Sequence, residues 1–221
     1  MRILYLDTSS SYLYVALADA DAGVLIDSIE KKLGADLSSK AIPLLMDLFA
    51  NNKIEPDSIN KIILVNGPGS FTGIRIGVTV AKIYSWSKQI DITTISSLEA
   101  MALSSNAEKD YIIPVIDARR KHVYSGIYSK DGAQVLVDQY LSLEAVLNAK
   151  NKLNGTSIFI SNDQIEIDDD IEPYKPNYLK IIEAYKDKKN INSHEIDANY
   201  LKKTEAEEKK EDNNDKGSNQ G

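Results

Sequence analysis

The stretch "LDTSSSYLYVALADADAGV" (residues 6–24) has a counterpart later in the chain, "IDARRKHVYSGIYSKDGAQ" (residues 116–134). The two align without a gap over most of their length, pairing Asp7 with Asp117, Tyr14 with Tyr124, Leu17 with Ile127 and Asp21 with Asp131. Each is typical of a strand that ends in Asp, a tight turn, a second strand and a hairpin turn. The repetition predicts two lobes derived from one ancestral unit, although two unrelated hairpins can also look alike.

Hydrophobic periodicity and turn residues predict the other elements of the first lobe. We expect strands at 2–7, 12–18, 23–30, 61–65 and 91–95, and helices at about 38–51, 70–88 and 97–105, the last capped by Ser96 or Ser97. Strands and helices in this order form a mixed sheet with helices against its faces. We expect lobes at 1–103 and 104–203, and a charged tail at 204–221 that is disordered or at most a frayed helix.

The composition limits the classes of function. The chain has 221 residues, of which 43% are hydrophobic, so it is long enough for a substantial core. Its formal net charge of -7 argues against a surface that binds nucleic acid by itself, so RNA is expected to be held through a partner. No cysteine is present, which excludes disulfides and thiolate metal sites. No apolar run is long enough to span a membrane, and the first residues are typical of a strand rather than a signal peptide.

A duplicated βββαβα unit with Asp at the end of its first strand resembles the actin-like ATPase (ASKHA) superfamily, which shares the ribonuclease H-like fold. The resemblance implies an α/β, two-lobed actin-like fold. In that superfamily the Asp of each lobe and nearby Gly or Thr residues face nucleotide phosphates and a metal ion. One alternative function is therefore a small ATP-binding phosphotransferase or hydrolase that uses Asp7 and Asp117. The other interpretation is that each Asp caps its own turn.

The segment "NGPGSFTGIRIG" (residues 66–77) follows a predicted strand and begins a helix. Its glycines permit a sharp turn, and free amides at the start of a helix attract anions. The spacing nevertheless fits neither a P-loop nor the dinucleotide fingerprint, so packing and turn geometry are the favoured interpretation and ligand binding is the alternative. The candidate anion- or nucleotide-binding residues are Asp7, Thr8, Gly67, Gly69, Ser70, Thr72, Asp117 and Arg119.

The same segment followed by "AKIYSW", with "LDTSS" at the start, "IDARRKHVY" in the middle and "ANYLKK" near the end, resembles the TsaB family, formerly YeaZ. The resemblance covers residue 1 to about 203. It implies a cytoplasmic, non-catalytic subunit in the synthesis of threonylcarbamoyladenosine (t6A) at position 37 of tRNA. The implied partners are the catalytic subunit TsaD, the ATPase TsaE and a second copy of the chain. One segment departs from the family, because Leu37, Ser38 and Ser39 stand where its members usually have His-Ser-Glu.

The residues themselves also argue against an enzyme. TsaD holds a metal through paired histidines, whereas this chain has only His122 and His194, each without an H-x-x-x-H partner. Arg119 and Arg120 follow Asp117 and would crowd a triphosphate, and no G-x-S-x-G or H-E-x-x-H motif of a hydrolase occurs. We therefore expect no required cofactor, no metal and no catalytic residue, with ATP bound only at a subunit interface.

Two predicted helices carry more apolar surface than one sheet face requires. A helix lying on a sheet needs an apolar arc of roughly 100°. The helices at 38–51 and 70–88 exceed it, so a second apolar face is left either for a partner or for the rest of the chain to cover. Pro43 suggests that the first of them starts near Ile42 or kinks there. The expected partner interface consists of Ile42, Leu45, Met46, Phe49, Ile76, Val80 and Ile83.

Overall fold

A computed structural model describes residues 1–202 of the chain. The predicted tail at 204–221 lies outside the described residues. The first unit begins with three antiparallel strands, β1 (Arg2–Asp7), β2 (Tyr12–Asp19) and β3 (Val24–Lys32). It continues with α1 (Leu37–Asn51), β4 (Lys61–Val65), α2 (Phe71–Lys88), β5 (Asp91–Ile95) and α3 (Ser97–Ser104).

The second unit repeats this order with a shorter first helix and without an equivalent of α2. Its strands and helices are β6 (Tyr111–Asp117), β7 (His122–Ser129), β8 (Gln134–Ser142), α4 (Leu143–Lys150), β9 (Ser157–Ile160), β10 (Ile171–Glu172) and α5 (Tyr178–Tyr185). The strand orders β3-β2-β1-β4-β5 and β8-β7-β6-β9-β10 are equivalent. The predicted two-lobed α/β fold with duplicated units is therefore confirmed. The main difference is that residues 161–170 form a loop where α2 stands in the first unit.

The first helix agrees with its predicted bounds of about 38–51 but not with the later start that Pro43 suggested. It begins at Leu37 rather than near Ile42 and continues through Pro43. Pro43 lies on the solvent side, where water can bond the carbonyl of Ser39 that has lost its helical donor. The apolar positions on the opposite side recur every three or four residues and hold the helix against the sheet.

The last helix of each unit packs against the sheet of the other unit. Helix α3 packs Leu98 and Met101 against Ile112 and Ile160 of the second sheet. Helix α5 packs Ile181 in return among the buried side chains of β1 and β4. The cores of the two lobes are thus built from both halves of the sequence.

The chain returns to the first lobe after α5. Ile196 is buried in the core between α1, α2 and the first sheet. The ammonium of Lys61 in β4 is also buried and donates hydrogen bonds to the carbonyls of Lys186 (3.0 Å) and Lys188 (2.6 Å). The sequence assigned residues 104–203 to the second lobe, whereas the segment from Tyr178 onward packs largely on the first sheet. Within residues 1–202 no helix is both long and apolar enough to cross a membrane.

Candidate functional site

A cleft of about 620 Å³ lies between the lobes, at the ends of β1 and β6. Of the eight residues predicted to bind an anion or nucleotide, the structure brings six to this cleft: Asp7, Gly69, Ser70, Thr72, Asp117 and Arg119. The repeat explains why Asp7 and Asp117 line one cleft, because the first strand of each unit ends there. Thr8 and Gly67 do not line the cleft.

Asp7 lies at the floor of the cleft and is almost entirely buried. Its Oδ1 accepts hydrogen bonds from the backbone amide (2.8 Å) and hydroxyl (2.7 Å) of Ser9, which is the geometry of a turn cap. The phenol of Tyr5 lies 3.5 Å from Oδ2. Burial raises the pKa of the Asp7 carboxyl, and the hydrogen bonds from Ser9 only partly oppose this.

Tyrosines enclose Asp7 on the cleft side. The ring of Tyr14 packs edge-on against that of Tyr174 at 5.6 Å between centroids. Asn162 of the second lobe donates to the phenol oxygen of Tyr14 (3.3 Å) and to the carbonyl of Tyr174 (3.0 Å). The phenol oxygen of Tyr174 is buried and has no hydrogen-bond partner among residues 1–202. These rings fill space beside the carboxylate and tie the lobes together.

Asp117 occupies the equivalent strand end but is exposed. Its Oδ1 accepts from the amide of Arg119 at 3.0 Å, which again caps the turn. The turn that follows is strained, because Arg119, Arg120 and Lys121 all have positive φ, at 67°, 54° and 58°. Their side chains are exposed, and that of Arg119 lines the cleft. Within residues 1–202 no three His, Asp or Glu side chains are arranged to hold a metal ion.

The glycine segment packs against the turn after β1. A Cβ at Gly69 would overlap the carbonyl oxygen of Ser9, and one at Gly73 would overlap that of Thr8. The hydroxyl of Thr8 is buried and donates to the carbonyl of Gly73 at 2.7 Å, so it is not available to a ligand. A Cβ at Gly67 would likewise overlap the backbone carbonyl oxygen of Asn199. Close packing therefore requires glycine at these three positions.

The start of α2 is only partly free to bind an anion. The amide of Ser70 donates to the carbonyl of Ser9 at 2.7 Å, and the Ser70 hydroxyl caps the amide of Gly73 at 3.2 Å. Thr72 is exposed beside them. Some of the backbone amides that a phosphate would need as hydrogen-bond donors are therefore already bonded within the protein.

The predicted partner interface requires a correction. Leu45 (7% exposed) and Phe49 (3% exposed) belong to the core of the first lobe, because they lie on the same stripe of α1 as the buried Ala41 and Leu48. They cannot contact a partner. Ile42 and Met46, one position along from that stripe, are 54% and 55% exposed.

Helix α2 contributes the rest of this surface. Ile76 and Val80 are partly buried against the core, while Ile83 is 60% exposed. The rings of Phe49 and Tyr84 lie 6.2 Å apart, so α1 and α2 lie side by side on one face of the first sheet. We call the surface formed by Ile42, Met46, Ile76, Val80 and Ile83 the α1/α2 face. Trp86, not predicted from sequence, is 64% exposed at the end of the same helix.

The chain is similar to known proteins over most of its length. Residues 32–207 match the family model described as "TsaD: tRNA N6-adenosine threonylcarbamoyltransferase". The "tRNA threonylcarbamoyladenosine biosynthesis protein TsaB" of Bacillus subtilis (strain 168) is 37% identical over 166 residues, covering 74% of this chain and 72% of the relative. The protein of the same name from Escherichia coli (strain K12) is 27% identical over 133 residues, covering 59% of this chain and 56% of the relative.

Two solved structures share the fold. "YeaZ from Pseudomonas aeruginosa" superposes with a TM-score of 0.72 at 20% identity, covering 90% of this chain and 99% of that one. A protein from the same organism, described as uncharacterized with similarity to peptidase YEAZ, gives 0.73 at 18% identity, covering 91% of this chain and 99% of that one. At these identities the likeness concerns the fold alone.

Proposed function

The chain belongs to the TsaB (YeaZ) family, and we propose that it takes part in t6A biosynthesis as the non-catalytic subunit that pairs with the transferase TsaD. TsaD would transfer the threonylcarbamoyl group from threonylcarbamoyl-adenylate to adenosine 37 of tRNA. The chain would raise the rate by binding more tightly to the active arrangement of TsaD than to its other conformations. A cytoplasmic location is part of the proposal, because tRNA is modified there.

The observation that carries this proposal is the α1/α2 face. Three large apolar side chains on it, Ile42, Met46 and Ile83, each expose more than half of their surface. Scattered exposed apolar residues are ordinary, but several on two adjacent helices favour a protein interface. Burial of this apolar surface would provide the affinity, because each Å² removed from water contributes about 25 cal/mol. A second copy of the chain would compete for the same face, and TsaE is a further proposed partner.

The geometry of the cleft supports a role other than catalysis by this chain. Asp7 is almost entirely buried, and one of its two carboxylate oxygens, Oδ1, already accepts two hydrogen bonds from Ser9. Part of the anion-binding capacity of α2 is used within the protein. We propose that the chain needs no cofactor of its own, and that any ATP bound near Thr72 or Arg119 is held together with a partner subunit.

The proposal is tested by mixing the chain with TsaD of the same organism and measuring molar mass by size-exclusion chromatography with light scattering. The wild-type chain should give a one-to-one complex. Met46→Asp and Ile83→Asp should abolish it, because each would bury an unpaired charge in the interface. Both positions are exposed, so the isolated variants should keep the wild-type melting temperature.

Val137→Asp is the matched control, since Val137 is 59% exposed on β8 of the other lobe. This variant should bind TsaD as the wild type does. The proposal fails if both α1/α2 variants still form the complex at wild-type affinity, or if the isolated chain binds ATP saturably and loses it on Asp7→Ala.

A further inference from the structure

Positively charged side chains surround the mouth of the cleft. Lys32 and Arg119 approach it from opposite lobes, and Lys202 joins them from the returning segment. Arg75 of α2 lies against Phe71 of the cleft lining, and Arg120 and Lys121 are exposed on the turn after β6. Among residues 1–202 none of these six forms a salt bridge. Their charges are available to an external anion.

Aromatic rings alternate with these cations. The Arg75 guanidinium lies 4.0 Å above the ring of Phe71, which stacks at 5.0 Å on Tyr200. Phe71 and Tyr200 remain 46% and 40% exposed. The guanidinium also donates from Nε to the phenol oxygen of Tyr200 at 3.0 Å. Arg75 thus contacts both rings of this exposed pair.

Two further cation and ring pairs stand across the mouth. Lys32 lies 5.8 Å from the ring centre of Tyr12, and Lys202 lies 5.2 Å from that of Tyr140. Tyr140 stacks in turn on His122 at 4.9 Å. The cations are thus spread over both lobes rather than gathered around one point.

The lining of the cleft carries as many carboxylates as cations, three of each, so it is less acidic than a net charge of -7 for the whole chain would suggest. Six carboxylates fall within residues 163–172 alone. Of the carboxylates that line the cleft, Asp7 is buried, while Asp117 and Asp163 accept hydrogen bonds from backbone amides. The outer rim, where a large ligand would first make contact, carries Lys32, Arg75, Arg119 and Lys202.

We infer that this rim, formed by Lys32, Phe71, Arg75, Arg119, Tyr200 and Lys202, is a direct contact surface for single-stranded RNA. Lysine and arginine bind phosphates, and bases stack on aromatic rings or on guanidinium planes. A single phosphate would need cations that converge, whereas spaced cations with rings between them fit a chain of nucleotides. The inference rests on the proposed function, in which the substrate is the loop of a tRNA. It adds that this chain itself holds part of that RNA.

Fluorescence anisotropy with a labelled hairpin RNA carrying the tRNA loop that contains adenosine 37 tests the inference. The isolated full-length chain should bind with a Kd of about 10⁻⁶ to 10⁻⁴ M at physiological salt, the range of electrostatic binding to nucleic acid. The affinity should fall as salt rises. The triple variant Lys32→Ala, Arg119→Ala, Lys202→Ala should bind at least tenfold more weakly. Its slope of log K against log salt should be shallower by about 0.7 for each phosphate that the variant no longer neutralises.

The matched control is Lys53→Ala, Lys130→Ala, Lys152→Ala, which removes the same charge from exposed positions that do not line the cleft. It should bind RNA as the wild type does. Equal weakening in both triple variants, no binding by the wild type, or displacement of the RNA by AMP at equal concentration would overturn the inference.

Two further measurements separate this inference from the pairing with TsaD. The rim variant should still form the TsaD complex, and Met46→Asp should still bind the RNA. If the wild-type chain pairs with TsaD but does not bind RNA, the inference fails alone. If it binds RNA but not TsaD, the proposed function fails instead.

Discussion

Asp7 illustrates how a position suited to catalysis can serve structure. It ends the first strand and faces the cleft, yet its carboxyl is buried, bonded to Ser9 and adjacent to the phenol of Tyr5. The sequence allowed both a turn cap and a ligand for a metal-phosphate group. The tyrosines that enclose it could not be foreseen, because Tyr5, Tyr14 and Tyr174 come from three separate parts of the chain.

Asp7→Asn should raise the melting temperature at pH 7. Burial raises the folded-state pKa of this carboxyl above the model-compound value of 3.8, so its ionised form opposes folding at neutral pH. Asparagine removes the charge and keeps an oxygen that accepts from Ser9. The gain should be largest above the raised pKa, shrink as pH falls towards 3.8 and vanish below it. Calorimetry across this range measures it, and about 2–4 °C corresponds to each kcal/mol in a chain of this size.

Asp117→Asn is the control, because Asp117 holds the same turn position in the second lobe but is exposed. Its stability should stay within about 0.5 kcal/mol of the wild type at every pH. A lower melting temperature of Asp7→Asn at pH 7 would show instead that the buried carboxylate stabilises the fold.

The glycine segment and the two apolar helices are elements whose presence was predictable and whose contacts were not. The strand, the turn and a helix at about 70–88 follow from periodicity and from the glycines, and in the structure the helix begins at Phe71 with Ser70 as its cap. Which glycines meet another backbone depends on the turn after β1, a tertiary contact that local sequence does not encode. For the same reason Leu45 and Phe49 were assigned to a partner, since an apolar position does not reveal which neighbour covers it.

Gly73→Ala should destabilise the protein by about 1–3 kcal/mol, although alanine is the better helix former. The added methyl group would overlap the carbonyl oxygen of Thr8, which is backbone and cannot move away alone. The methyl group added by Gly77→Ala would instead overlap the side-chain hydroxyl of Thr8. Urea unfolding of the single variants and of each combined with Thr8→Ala measures the difference.

Thr8→Ala should therefore relieve much of the cost of Gly77→Ala and little of the cost of Gly73→Ala. Each comparison is made against Thr8→Ala alone, since removing the hydrogen bond to Gly73 has its own cost. Rescue of both alanine variants to the same extent, or a stabilising effect of Gly73→Ala, would contradict the packing described for α2.

The cores of the two lobes share more segments of the chain than a simple repeat of two independent units would suggest. Aligned strand-turn-strand stretches predicted two lobes of equivalent topology, and the strand orders confirm this fold. The exchange of α3 and α5 and the return of the chain to the first sheet were not predicted, because repeats identify units and not the faces on which their last helices pack. The cation and aromatic rim was missed for a similar reason, since total charge does not report where charges lie.

This architecture suits a subunit that presents surfaces rather than one that closes around a substrate. Asn162 bridges the lobes through Tyr14 and Tyr174, and the shared helices resist their separation. Lobes joined in this way would present the α1/α2 face and the rim in fixed positions relative to one another. TsaD bound to the first and RNA bound to the second would thus be held in a defined relation.

The most direct measurement is the rate of t6A formation in a mixture of purified TsaD, threonylcarbamoyl-adenylate and tRNA, with and without this chain. The account predicts that the chain alone forms no product, that it accelerates TsaD, and that the double variant Asp7→Asn, Asp117→Asn accelerates it equally well, whereas Met46→Asp does not. Product formed by the chain alone, or acceleration lost in the double variant while Met46→Asp retains it, would contradict the account.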